Sequence, residues 1–163
     1  MKKVMMAIVC LMTMVVFSSC GNIEEDGNAA IEKYEKWSKE CAKSNAEENA
    51  EDAISCLKSN RKLKESEINK MFARYDKEVE ADANKIVSRC FDPLFQKYGE
   101  RRVVEWINNK ANEETYRDFK LSSKEEFYDH FKAVITSNYD ELYKVNFDLK
   151  FSEYKIELLK KRF

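Results

Sequence analysis

Residues 66–91, SEINKMFARYDKEVEADANKIVSRCF, carry the strongest helical pattern in the chain. Apolar side chains recur there at steps of three and four residues, namely at Ile68, Phe72, Tyr75, Val79, Ala83, Ile86 and Cys90. These steps form two 11-residue repeats with a period of about 3.67 residues, so the stripe runs nearly straight along one helix face. The stretch therefore predicts a long amphipathic helix that packs against other elements.

The composition of the 163-residue chain supports the same fold class. It has 3 Gly and 1 Pro, and a β-rich domain of this size needs more turn residues than that. Charged residues make up 36% of the chain with a net charge of −1, and both signs are interspersed without a basic face. This pattern argues against nucleic acid as a partner. We predict an all-α irregular bundle of about four to six helices.

The remaining helices are predicted from caps and breakers. Asn28 is a plausible N-cap for a first helix with Ile31, Tyr34, Trp37 and Cys41 on its apolar face. A turn within Ser44 to Asn49 would lead into a second helix. Pro93 should end the helix of residues 66–91, because proline disfavours the α conformation in the residue before it. A short helix would then reach Tyr98, with Gly99 as its C′ residue.

The last part of the chain begins with the clearest helix start. Ser123-Lys124-Glu125-Glu126 is a capping box, and an apolar face follows at Phe127, Phe131, Val134, Ile135, Leu142 and Tyr143. In residues 145–151, Val145, Phe147, Leu149 and Phe151 alternate with polar residues, which is typical of a strand. Val145 and Leu149 also continue the helical stripe. A continuous helix, a break and a short strand-like segment all fit the pattern.

The N-terminal residues predict an export signal. Lys2 and Lys3 precede an uncharged apolar run, Val4–Phe17, which would span about 21 Å as a helix. That length is short of a bilayer core of about 30 Å and fits a signal segment better than a membrane span. Cleavage by an ordinary signal peptidase would place bulky Phe17 at −3, where a small residue is expected.

Phe17-Ser18-Ser19-Cys20 resembles the lipobox of bacterial lipoproteins, with Phe in the place of the commoner Leu. The resemblance implies cleavage before Cys20, diacylation of its thiol and anchoring of the protein in a membrane. Gly21 is not the Asp that retains many Gram-negative lipoproteins at the inner membrane, which favours the outer membrane. The acidic run Glu24-Glu25-Asp26 resembles the export signal of Bacteroidota surface lipoproteins and narrowly favours the cell surface over the periplasmic face.

These observations predict three parts of the chain. Residues 1–19 would be the signal peptide, 20–27 a lipidated tether and 28–163 a single helical domain. Of the cysteines, Cys41, Cys56 and Cys90 would remain free for other roles. If the chain turns within residues 44–49, Cys41 and Cys56 face each other and a disulfide between them is allowed in an oxidising compartment. The alternative is separate apolar-face thiols, which is also what we predict for Cys90.

No catalytic motif stands out in the sequence. His130 is the single histidine, and it lies on a helix beside two phenylalanines, where a packing or surface role is commoner than catalysis. We find no HExxH, GxSxG or phosphate-binding glycine loop, and no Cys/His spacing that suggests a metal. The chain is therefore predicted to be non-enzymatic, without cofactor or metal.

Aromatic residues are the remaining unusual feature of the chain. Seven of them could line a groove between helices, or could belong to a bulky core with hydroxyl groups reaching solvent: Trp37, Tyr75, Tyr98, Trp106, Tyr139, Tyr143 and Tyr154. The leading hypothesis is a lipid-anchored interaction or structural module with a protein partner. The alternatives are a binding protein for a small apolar ligand or lipid, and an anchored inhibitor or immunity protein.

Replacing Cys20 by Ala is expected to abolish incorporation of labelled palmitate, because only the lipobox thiol accepts the diacylglyceryl group. The measurement is metabolic labelling followed by recovery of the protein. Cys10→Ala, within the apolar run, is the matched control and should leave labelling intact. A wild-type chain that takes up no label would contradict the lipoprotein interpretation.

Overall fold

The computed structural model describes residues 22–59, 65–115 and 119–160, and within them the chain forms helices and no strand. The four helices are α1 (Ile23–Ser59), α2 (Glu65–Tyr98), α3 (Glu100–Thr115) and α4 (Lys124–Lys160). The prediction of an all-α bundle of four to six helices is confirmed. Residues 1–19 and Cys20, which carry the predicted signal and lipidation site, lie outside the described residues.

Three long helices form the body of the bundle, and the short α3 closes one end. α1 and α4 run parallel, because Tyr34 contacts Phe131 near the start of both helices and Lys58 pairs with Glu157 near their ends. α2 runs antiparallel to them, since Lys97 at its end pairs with Asp26 at the start of α1.

α1 begins six residues earlier than predicted. The Oδ1 atom of Asn22 accepts a hydrogen bond of 2.9 Å from the amide of Glu25, so Asn22 rather than Asn28 caps the helix. Acidic residues in the first turn also complement the helix dipole. Residues 23–27 of the predicted tether are thus helical, and Gly27 is buried.

The predicted turn within Ser44 to Asn49 is wrong, because α1 runs through it without interruption. The prediction took a polar stretch without large apolar residues for a loop. In the structure the stretch belongs to an alanine face of α1 that is fully buried, consisting of Ala42, Ala46, Ala50 and Ala53. Alanine is the strongest helix former, and its small side chain lets neighbouring helices approach closely.

Two hydrophobic clusters follow each other along the bundle. In the first, Phe91 of α2 lies between Phe127 and Phe131 of α4, with ring centroids 4.9 and 4.7 Å apart. Tyr34 of α1 joins this cluster, and its hydroxyl donates a 2.7 Å hydrogen bond to the Phe131 carbonyl. In the second cluster, the alanine face packs against Tyr75 and Val79 of α2 and Tyr139 of α4.

The second cluster contains a buried polar contact and a buried tyrosine whose hydroxyl reaches a partly exposed carboxylate. The Nδ2 atom of Asn49 donates to the hydroxyl oxygen of Tyr139 at 3.1 Å, and both side chains are buried. The hydroxyl of Tyr75 donates to the Asp52 carboxylate at 2.8 Å. These bonds satisfy polar groups that would otherwise be costly to bury, and they tie α1 to both neighbouring helices.

The prediction that Pro93 ends a helix is wrong, because α2 continues through it to Tyr98. Proline inside a helix costs about 3 kcal/mol, since it removes one hydrogen bond and crowds the preceding turn. Burial of Phe91, Leu94 and Phe95 around it offsets that cost. The predicted role of Gly99 is confirmed: it ends the helix with a φ of 79°, which glycine adopts at little cost.

α4 also runs without interruption through residues 145–151, so of the three alternatives for this segment the structure has the continuous helix. The capping box is present in a shifted form. The amide of Glu126 donates to the Ser123 hydroxyl oxygen at 3.1 Å, while the Glu126 carboxylate accepts from the amide and hydroxyl of Ser122, both at 2.7 Å. The prediction of the helix start at this position is confirmed.

Gly27→Ala is expected to destabilise the bundle, although alanine normally stabilises a helix relative to glycine. A Cβ atom at residue 27 would lie 2.3 Å from Cζ2 of the buried Trp106, so α1 and α3 would have to separate. We expect a loss of about 1–2 kcal/mol in the free energy of unfolding by urea denaturation.

The same substitution in a Trp106→Ala background is the control. Without the indole ring the clash is gone, so Gly27→Ala should become neutral or stabilising in that background. If Gly27→Ala stabilises the otherwise unchanged chain, the first turns of α1 do not pack against α3.

Candidate interaction surface

The predicted disulfide between Cys41 and Cys56 depended on a turn that does not exist. Both residues lie on α1, fifteen positions apart, which corresponds to about 22 Å along a helix. A disulfide needs Cα atoms within about 7 Å, so the pairing is wrong, and both thiols are free. Cys90 is a buried thiol of the first cluster, as predicted, and burial raises its pKa.

His130 lies on an exposed part of α4. Its ring makes edge contacts with Phe119 and Phe131, with centroids 5.0 and 5.4 Å away, and partial burial lowers its pKa. These are packing contacts for the imidazole. In the described part of the chain, no three His, Cys, Asp or Glu side chains are grouped so as to hold a metal ion.

The acidic residues at the start of α1 have structural partners. The indole nitrogen of Trp106 donates to the Glu24 carboxylate at 2.8 Å. Asp26 accepts hydrogen bonds from Nζ of Lys97 at 2.7 Å and from the hydroxyl of Tyr98 at 2.8 Å, and these contacts lower its pKa. Two of the three acids in the run that resembles an export signal thus fasten α1 to α2 and α3.

The seven aromatic residues considered for a groove are not brought together. Tyr75, Tyr139 and Tyr143 belong to the second cluster, while Tyr98 and Trp106 contact the start of α1 and Tyr154 lies near the end of α4. Trp37 lines a separate cleft. Most of these side chains follow the alternative prediction of a bulky core. The Tyr143 hydroxyl is buried and has no hydrogen-bond partner among the described residues, and burial raises its pKa to about 12.

Three clefts with linings wholly within the described residues have volumes of about 340, 370 and 430 Å³. All three are open to solvent, and charged side chains contribute to each lining. The largest includes Asp76, Glu80, Asp129, Lys132 and Asp140. Pockets for apolar ligands are lined mainly by apolar side chains, so these clefts do not favour that hypothesis.

The most distinctive surface feature is an exposed aliphatic stripe along the second half of α4. Five side chains form it, and their exposed fractions are 38% for Leu142, 65% for Val145, 60% for Leu149, 52% for Ile156 and 55% for Leu159. Single exposed apolar residues are ordinary, but five on one helix face form an unusual apolar surface. We call this row the α4 stripe.

The opposite face of the same helix is aromatic and packs towards the rest of the bundle. Tyr139, Tyr143, Phe147 and Phe151 follow one another there with stacked rings, the centroids being 5.7, 6.0 and 5.7 Å apart. The predicted apolar face of α4 includes Leu142 and continues through Val145 and Leu149, and this part of the prediction is wrong because all three side chains are exposed. The two faces differ in residue type, because the row that packs towards the bundle is aromatic and the exposed row is aliphatic.

Charges flank the α4 stripe unevenly along its length. Glu141 and Asp148 lie beside its first half, and Lys155 and Lys160 lie beside its second half, all of them exposed. Glu153, which is also exposed, lies beside the second half too, so the flanking positions are acidic in the first half and mixed, with a net positive charge, in the second half. No helix in the described residues is long and apolar enough to cross a bilayer.

Comparisons with protein-family models, with curated proteins and with solved structures find no match to this chain.

The stability of the bundle is expected to fall on acidification. Hydrogen bonds lower the pKa values of Asp26 (from Lys97), Asp52 (from Tyr75) and Asp92 (from Tyr128). Carboxylates of this kind contribute stability above their unfolded pKa of about 3.9, and that stability is lost as the pH falls through the lower folded value. All three are more than a third exposed, so the total is about 1–2 kcal/mol.

Urea denaturation between neutral pH and pH 3 measures this effect. The triple variant Asp26→Asn, Asp52→Asn, Asp92→Asn should be less stable at neutral pH and should show a flatter pH dependence. Burial raises the pKa of Asp140, so its contribution to the pH dependence of stability has the opposite sign and offsets part of the loss on acidification. An unchanged pH profile in the triple variant would contradict the assignment.

Proposed function

We propose that this protein is a lipid-anchored lipoprotein of the outer membrane whose helical domain is a non-catalytic interaction module. The observation that carries the proposal is the α4 stripe. Five aliphatic side chains lie in a row on the exposed face of α4, where they do not pack into either hydrophobic cluster. Exposed apolar surface of this kind favours association with another protein.

The position of the stripe relative to the anchor supports this role. α1 begins at Ile23, three residues after the proposed lipidation residue Cys20, so little chain separates the domain from the membrane. Lys150, in the middle of the stripe region, pairs with Glu51 of α1. Residue 51 lies about 42 Å along α1 from Ile23, so the stripe is carried at the end of the bundle away from the anchor.

The same geometry makes a protein a better partner for the stripe than the anchoring membrane itself. A face that inserted into that membrane would be expected beside the lipidated end, where α3 and the start of α1 lie. We propose cell-surface display in preference to the periplasmic face. The support for this is the resemblance of the acidic run to a surface-export signal, even though Glu24 and Asp26 also have structural partners.

A photoreactive amino acid at Leu149 in intact cells is expected to form a cross-linked adduct, because the proposed partner covers that position. The readout is a shift in mass of the protein on a denaturing gel. The matched control is the same amino acid at Lys39, an exposed position on α1 outside the stripe. Absence of adducts from both Leu149 and Val145 would contradict an interaction role for the stripe.

A further inference from the structure

We infer that the partner of the α4 stripe is a second copy of this chain, bound with the two α4 helices antiparallel. This inference rests on the proposed function of the stripe as an interaction surface. It goes further by identifying the partner and the orientation, which follow from the spacing of the aliphatic residues and the order of the charges beside them.

The spacing is that of a helix that pairs with another helix. Leu142, Val145, Leu149, Ile156 and Leu159 follow one another at steps of 3, 4, 7 and 3 residues. Ser152 divides the step of seven into 3 and 4, so the row keeps a heptad repeat over its whole length. The aromatic face of α4 is held against the bundle, so pairing requires no further ordering of the helix backbone.

In an antiparallel pair with a two-fold axis between residues 150 and 151, each position of the row, Ser152 included, faces another position of the row on the second copy. Leu142 then faces Leu159 of the second copy, Val145 faces Ile156, and Leu149 faces Ser152. Large aliphatic residues thus meet in four of the six layers. Ser152, the one polar position, is placed beside Leu149 rather than beside another serine.

The charges favour this orientation. On one side of the antiparallel row, Glu141 faces Lys155 of the second copy, and the two-fold axis generates this ion pair twice. On the other side, Lys160 faces the uncharged Asn146. The flanking residues next to the axis are Asp148 and Glu153. Each of them faces the same residue of the second copy, so each gives one like-charge contact.

The parallel orientation lacks any such match. In register, Asp148 would face Glu153 of the second copy and Lys155 would face Lys160, and each like-charge contact would occur twice. Like charges at these flanking positions oppose pairing, while opposite charges set orientation. The flanking charges therefore favour the antiparallel pair, in which two ion pairs accompany two like-charge contacts, over the parallel pair, in which all four charged contacts join like charges.

The size of the surface indicates a weak association in solution. The row is about 26 Å long, and a contact between two helices of that length is smaller than the standard protein interface. The anchored ends point in opposite directions in the antiparallel pair, which suits contact between two facing membrane surfaces.

Sedimentation equilibrium over micromolar concentrations tests the inference on the chain from residue 20 onwards with Cys20→Ala. This chain contains every described residue of the bundle and has no lipid to cause association. We expect reversible dimers. Lys155→Glu should weaken them roughly ten-fold, because two ion pairs become like-charge contacts. Glu141→Lys combined with Lys155→Glu should restore them.

Lys39→Glu makes the same change in net charge away from the stripe and should leave the dimer unchanged. The Nζ of Lys155 lies 4.4 Å from the Phe151 ring centroid, so circular dichroism should verify that each variant keeps its helices. Tighter dimers of Lys155→Glu would overturn the antiparallel orientation, because that variant pairs with Lys160 only in the parallel one. A wild-type monomer at all concentrations would overturn self-association, and the cross-linking at Leu149 would then test the interaction role separately.

Discussion

The small side chains of α1 set how closely the three long helices can approach. Ala42, Ala46, Ala50 and Ala53 are all fully buried, and they leave room for the large side chains of α2 and α4. Tyr75 and Tyr139 occupy that room and bring their hydroxyl groups to polar atoms of α1. A bulky residue in this row would move both neighbouring helices outward and separate the donors from their acceptors.

A second constraint acts at the start of α1. Asn22 caps α1, and Glu24 and Asp26 accept hydrogen bonds from Trp106, Lys97 and Tyr98. The chain is therefore folded almost up to the proposed anchor. The composition of residues 22–27 therefore predicts a tether wrongly, because short acidic stretches are common in solvated tethers. This stretch belongs to the bundle because α2 and α3 supply hydrogen-bond donors to its carboxylates.

α4 shows how one helix can serve the core and the surface with different chemistry. Its aromatic row packs towards α1 and α2, and its aliphatic row faces solvent. Periodicity identified α4 as a helix, including its start near Ser123, but it did not distinguish the two rows because both are apolar. Which row is buried depends on the volumes offered by the facing helices, and the alanine face of α1 accommodates the larger aromatic rings.

The sequence by itself determined the all-α class, the long helix over residues 66–91, the end of that helical region at Gly99 and the start of α4. Each of these follows from local physics: repeating apolar spacing, scarce turn residues, a glycine at positive φ and a capping box. Only the tertiary structure decided that α1 is continuous, that α2 passes through Pro93, that Cys41 and Cys56 stay apart and that the α4 stripe is exposed. In each of these cases, burial against segments that are distant in sequence decides the outcome, either by outweighing a local preference or by selecting one of several. The spacing of residues within one segment does not show which other segments pack against it.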